Sequence, residues 1–164
     1  MSQTGLYEEY CIDTNSILDF WRVDSDKVGP YHVKVKSFRA LWDYLTAEIE
    51  KGRILVPQCV AKEITPEDKE LQGWLSSHGE LFIDDECSLE LKGIVSVYDI
   101  YTKTRGSLAD AILIATAKHR GLTVITSELH VPNNGKFNPK IPNVCEEYSV
   151  NWLNLPDFFA KEGL

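Results

Sequence analysis

The chain has 164 residues, 43% of them apolar and 26% charged, with a formal net charge of −8 and a sequence pI of about 5.0. That length suits one self-sufficient core, and no apolar run reaches the roughly 18 residues that a membrane helix needs. The acidic balance argues against a broad basic surface gripping duplex DNA, while leaving room for a locally acidic site that acts on nucleic acid through a cation.

Residues 1–9 hold Glu8 and Glu9 and no apolar block, so they read as an N-terminal tail rather than a signal peptide, and a cytoplasmic protein is expected. Residues 10–164 then form the single domain. Tyr10-Cys11-Ile12 reads as a buried strand ending at Asp13, with a short helix from about residue 16 to 21. Residues 27–39 hold Lys27, Lys34, Lys36 and Arg39 and no acid; this is a solvated loop and helix start, or a strip that contacts phosphate. Phe38, Leu41, Trp42, Leu45 and Ile49 recur at helical spacing, with Ser37 as cap and Gly52 as stop. Ile54-Leu55-Val56 is a strand stopped by Pro57, and a helix follows over residues 58–64.

Residues 71–74 look helical, Leu81-Phe82-Ile83 reads as a strand, and residues 89–101 read as one helix with Ile94, Val95, Tyr98 and Tyr101 on a shared face. Residues 107–120 form a strong helix, apolar nearly all round and closed by Gly121, which calls for cover on most of its surface. Thr123-Val124-Ile125-Thr126 is a strand, residues 130–142 are a loop rich in Pro, Asn and Gly, residues 150–153 a last strand and residues 156–161 a last helix. Short apolar strands alternating with helices predict an α/β domain with a mostly parallel central sheet, in which ligands bind beyond the carboxyl ends of the strands. Cys11, Cys59, Cys87 and Cys145 form no C-x-x-C pair; a zinc site is not expected, and Cys11 and Cys59 read as small core residues.

That rule on ligand position picks out four acids. Asp13 and Glu128 stand at carboxyl ends of strands, Glu63 lies on the helix after the second strand, and Asp110 lies in the first turn of the nearly all-apolar helix, where few directions lead to water. Each has a local explanation as well. Asp13 can cap the next helix, Asp110 can close a capping box with Ser107, Glu63 can tip to solvent beside Lys62, and Glu128 can be a loop acid. Together they suit a hard cation, because converging carboxylates repel and Mg²⁺ or Mn²⁺ prefers oxygen ligands.

Four stretches resemble the motifs of PIN-domain nucleases, the family that includes VapC-type toxins of toxin–antitoxin pairs. Ile12-Asp13-Thr14-Asn15-Ser16-Ile17-Leu18 is similar to the first motif and Pro57-Gln58-Cys59-Val60-Ala61-Lys62-Glu63-Ile64 to the second. Leu108-Ala109-Asp110-Ala111-Ile112-Leu113-Ile114-Ala115 is similar to the third. Val124-Ile125-Thr126-Ser127-Glu128 occupies the fourth, where the wider family has Asp. Lys140-Ile141-Pro142-Asn143-Val144-Cys145 and the tryptophan-bearing helix at residues 38–49 resemble a branch whose members are largely without assigned function and which also tends to carry Glu there. The resemblance covers about residues 10 to 155. It implies a PIN-like three-layer α/β/α domain and a Mg²⁺- or Mn²⁺-dependent endoribonuclease, as in toxins with a cognate antitoxin protein, and frequent homodimerisation. Asp13, Glu63, Asp110 and Glu128 would be the catalytic acids and metal ligands, with Asn15 and Ser127 in support and Arg105 either steering a phosphate or solvated in a loop. Two alternatives stand beside it. A phosphatase with nucleophilic Asp13 would want an acid two residues on, where Asn15 stands. A catalytically silent PIN-like module would bind RNA or protein instead.

Overall fold

The computed structural model describes residues 8–21, 38–64, 69–84, 88–103 and 105–164. In chain order the elements are β1 (Tyr10–Ile12), α1 (Thr14–Trp21), α2 (Phe38–Glu50), β2 (Ile54–Leu55), α3 (Gln58–Glu63), α4 (Lys69–His78), a 3-10 turn at Gly79–Leu81, α5 (Ser88–Val97), α6 (Ile100–Lys103), α7 (Arg105–Arg120), β3 (Thr123–Thr126), α8 (Ile141–Glu147), β4 (Trp152–Asn154) and α9 (Leu155–Glu162). The four strands make one all-parallel sheet in the order β2-β1-β3-β4. The register sets Cys11 beside Leu55 on one side and Val124 on the other.

Neighbouring residues of a strand point to opposite faces, and β1 uses both. The Tyr10 ring packs edge-on against Phe158 of α9 at 5.2 Å. The Cys11 thiol, one residue on, lies 3.9 Å from the Leu113 carbonyl oxygen of α7. Helices α9 and α7 therefore cover opposite faces, which is the three-layer α/β/α arrangement the strand and helix alternation calls for. Because the middle of α7 is apolar nearly all round, that part must be enclosed. Ala111, Leu113, Ile114, Ala115 and Ala117 are all buried, and α3, α5, α6, α8, β1 and β3 pack around them. On α2, Leu41, Leu45 and Ile49 are buried, while Trp42 stands between Trp21 and Trp74 at 4.8 Å from each. Gly52 ends α2 with φ +73 and the Arg53 N–H bonded back to the Glu48 carbonyl at 2.9 Å, a left-handed stop that an L side chain would strain.

The C-terminal helix is tied to the sheet by charge. Arg53 bonds Glu48 at 2.9 Å and Glu162 at 2.6 Å, and the Tyr10 and Tyr44 hydroxyls donate to Glu162 at 2.8 and 3.0 Å.

Several elements differ from the sequence expectation. Leu81-Phe82-Ile83 is not a strand: Leu81 ends the 3-10 turn, and Ile83 touches the sheet through one parallel bridge to Pro57. The helix expected over residues 89–101 is two pieces, α5 and α6. The loop expected through Pro142 stops sooner, because Ile141–Glu147 is helical with Pro142 at the helix start, where a missing N–H costs nothing. Helix α1 starts at Thr14 rather than Ser16. Ser37, Cys87 and most of the basic stretch at residues 27–39 lie outside the described residues.

Candidate active site

Strands β1 and β3 are neighbours and parallel, so their carboxyl ends share one rim. Asp13 follows β1 directly, its N–H bonded to the Ile125 carbonyl at 3.1 Å, and it is 2% exposed. Its carboxylate does two local jobs. One oxygen accepts the Ser16 N–H at 2.7 Å, so Asp13 caps α1, as its position allowed. The other accepts the Thr126 hydroxyl at 2.7 Å across the strand gap. Thr126 in turn accepts the Glu128 N–H at 3.1 Å, so one buried hydroxyl joins the ends of both strands. Burial pushes the Asp13 carboxyl up to about 6, the Ser16 and Thr126 bonds oppose that, and the nearby Glu128 adds to it.

The other acids come from three further elements. Glu63 ends α3 and accepts the Thr14 hydroxyl at 2.7 Å. Glu128 lies two residues past β3 and accepts the Ile141 N–H at the start of α8 at 2.7 Å. Asp110 sits in α7, which begins at Arg105. Ser107 is thus inside the helix rather than before it, and the capping-box explanation of Asp110 fails for that reason. What surrounds Asp110 is acidic. Burial first, then the charges of Glu128, Asp13 and Glu63, push its carboxyl up to about 8, with Lys140 the opposing charge. The other three acids thus all lie near enough to Asp110 for their charges to be felt there, and Glu128 is also felt at Asp13.

The two supporting residues fare differently. Asn15 is exposed on α1. Ser127 donates to Asp19 at 2.6 Å and meets the Ser16 hydroxyl at 3.1 Å, two bonds that brace α1 against the rim. Nothing is described of the Arg105 side chain. Thr14, Thr126 and Tyr101 join the site without having been singled out from the sequence. Tyr101 is 1% exposed and its hydroxyl is buried without a hydrogen-bond partner. Burial raises its pKa first, and the charges of Asp110 and then Glu128 raise it further, so both acids are near enough for their charges to be felt there. The helical spacing of Ile94, Tyr98 and Tyr101 marked it only as core. A tyrosine at a core position always carries the question of where its hydroxyl goes, and that was the available signal.

Among the described residues, no three His, Cys, Asp or Glu side chains are disposed, as they stand, to grip one ion. The donor set nevertheless has the chemistry for a hard divalent cation. It is all oxygen, short of positive charge, and near an orphaned buried hydroxyl. Among the described residues no helix is long and apolar enough to cross a membrane. A family model described as a domain of unknown function, DUF4411, matches residues 10–164, and the chain belongs to that family. No curated protein matches the chain.

Proposed function

We propose that this DUF4411 chain is a divalent-metal-dependent ribonuclease that hydrolyses RNA phosphodiester bonds. The observation that supports it is the electrostatic grouping of Asp13, Glu63, Asp110 and Glu128 at the carboxyl rim of a parallel sheet, with Lys140 as the charge opposing it at Asp110. Carboxylates grouped with so little opposing charge destabilise a fold, and a fold retains them where a bound cation or a reaction needs them. The motif resemblance to PIN-domain nucleases falls on the same four residues.

In this reading Asp13, Glu63, Asp110 and Glu128 hold Mg²⁺ or Mn²⁺. Such an ion supplies a water of lowered pKa and offsets charge on the phosphate oxygens. Asp13 is the rigid member, fixed by Ser16 and Thr126. Glu63 and Glu128 each lend one oxygen to a hydrogen bond with their own chain, from Thr14 and from Ile141. The Tyr101 hydroxyl is free to donate to a water or a phosphate oxygen that enters the cluster. The same family resemblance suggests a cytoplasmic toxin with a cognate antitoxin, and a homodimer; a small partner reading frame beside this one would support the pairing.

The test is cleavage of single-stranded RNA by purified protein, with Asp13→Asn purified in parallel to expose contaminating ribonuclease. Cleavage should need Mg²⁺ or Mn²⁺, stop on adding EDTA and be absent from Asp13→Asn. Cleavage that survives excess EDTA rejects the reading. One observation favours a second reading, a catalytically silent RNA- or protein-binding module: the four carboxylates are not gathered around a common point. A melting temperature unchanged by Mn²⁺, together with no cleavage, would select it.

A further inference from the structure

The segment joining β3 to α8 starts and finishes at the acid cluster. Glu128 accepts the Ile141 N–H at 2.7 Å, so a carboxylate of the site closes the base of the loop. Above that clasp, the Val131 N–H donates to the Asn143 side chain at 3.0 Å, and the Asn143 amide donates to the Val131 carbonyl at 2.7 Å. The Asn134 N–H donates to the same carbonyl at 3.2 Å, and its side chain donates to the Asn138 carbonyl at 2.8 Å. Lys136 sets its ammonium group 5.9 Å from the centre of the Tyr98 ring. A loop tied at these points holds its backbone on a defined course.

On this tied loop Phe137 is 93% exposed. An aromatic ring left in water forgoes the burial that would stabilise the fold, and loops held by a rigid scaffold are where binding groups stand. The charge pattern says what the ring is for. The chain as a whole carries −8, yet residues 129–145 contain no Asp or Glu and do contain His130, Lys136 and Lys140. His130 pairs with Glu146 at 3.1 Å. The two lysines flank Phe137 in sequence, and Lys140 lies near enough to Asp110 for its charge to be felt there. An exposed ring between cations, beside an acidic site, has the make-up of a single-strand platform: bases stack on the ring and phosphates meet the lysines.

We propose that residues 129–140 form the strand-binding loop of the site, with Phe137 stacking on an unpaired base of single-stranded RNA and Lys136 and Lys140 contacting the flanking phosphates. The choice of RNA rests on the ribonuclease reading. Base faces are accessible only when unpaired, so single strands should bind in preference to duplex.

Binding is measured by fluorescence anisotropy of a labelled mixed-sequence RNA 12-mer, single-stranded or annealed to its complement. Two uncleaving states of the full chain are used: wild type in EDTA, and Asp13→Asn with Mg²⁺. Phe137→Ala should weaken single-strand binding about tenfold or more, and Phe137→Trp should retain it. Lys136→Ala with Lys140→Ala should weaken binding and flatten its salt dependence. Melting curves control for folding, and an exposed ring should leave them unmoved. The proposal is overturned if Phe137→Ala binds like its parent, if duplex binds as well as single strand, or if neither uncleaving state binds RNA, whether or not Phe137→Ala abolishes self-association in sedimentation. The two readings fail separately. Metal-dependent cleavage with binding indifferent to Phe137 overturns the loop alone. Binding that depends on Phe137 without any cleavage supports the loop and removes the nuclease.

Discussion

Asp110→Asn preserves side-chain shape and removes one ionisable group from the cluster. In the folded chain the Asp110 carboxyl is raised from 3.8 to about 8, by burial first and then by Glu128, Asp13 and Glu63. A raised acid binds its proton more tightly folded than unfolded. Its contribution is therefore fully present below about pH 4 and is lost as pH rises through about 8. At about 1.4 kcal/mol per decade, the interval sets an upper limit of about 6 kcal/mol. Water entering the rim reduces this, and a realised difference of about 1–2 kcal/mol is expected. Urea melts in EDTA at pH 5, 7 and 8.5 should show wild type losing stability as pH rises. Asp110→Asn should lose less, ending the more stable of the two at pH 8.5. Asp13 keeps its own raised carboxyl in both proteins, so neither profile is flat. Adding Mn²⁺ should then stabilise wild type in proportion to the logarithm of its concentration, and the variant less. The variant should also fail to cleave RNA. Parallel pH profiles with equal gains from Mn²⁺ would refute both the electrostatic grouping and the ligand role.

Tyr101→Phe removes a buried hydroxyl that has no partner, so stability should hold or rise by up to about 1 kcal/mol, while cleavage falls; full activity in the variant would take the hydroxyl out of the site. Glu128→Asp keeps a carboxylate and should retain much of the cleavage, whereas Glu128→Ala should lose most of it and also free the Ile141 N–H, seen as faster amide exchange at the start of α8. Arg53→Met removes the cation of Glu162 and one of the two cations of Glu48, Lys51 remaining, and should cost about 2 kcal/mol in urea melts. Its cleavage rate below the melting temperature should match wild type, because Arg53 serves the core and not the rim.

Much of the architecture was legible because it is written in local periodicity. The spacing of Leu41, Leu45 and Ile49 announces α2, the run from Ala111 to Ala117 announces a helix covered on all sides, and Asp13 and Glu128 stand where strands end. The misread stretches share one feature: local pattern is weak there and tertiary contact decides. Ile83 meets the sheet through one bridge to Pro57, and residues 141–147 wind into a helix behind a proline that also suits a loop. The partners within the site were beyond sequence reasoning for the same reason. Thr126 and Asp13 are 113 residues apart and Thr14 and Glu63 are 49 apart, and Tyr101 looked like core from its spacing alone. A sequence carries the period of each element and the kinds of groups at its ends. Which ends meet is decided by the order in which parallel strands pair and by the helices that cover them. Pairing β1 with β3 puts Asp13, Thr126 and Glu128 on one rim, and packing α7 beneath that rim brings Asp110 among them, partly removed from the water that would otherwise screen its charge.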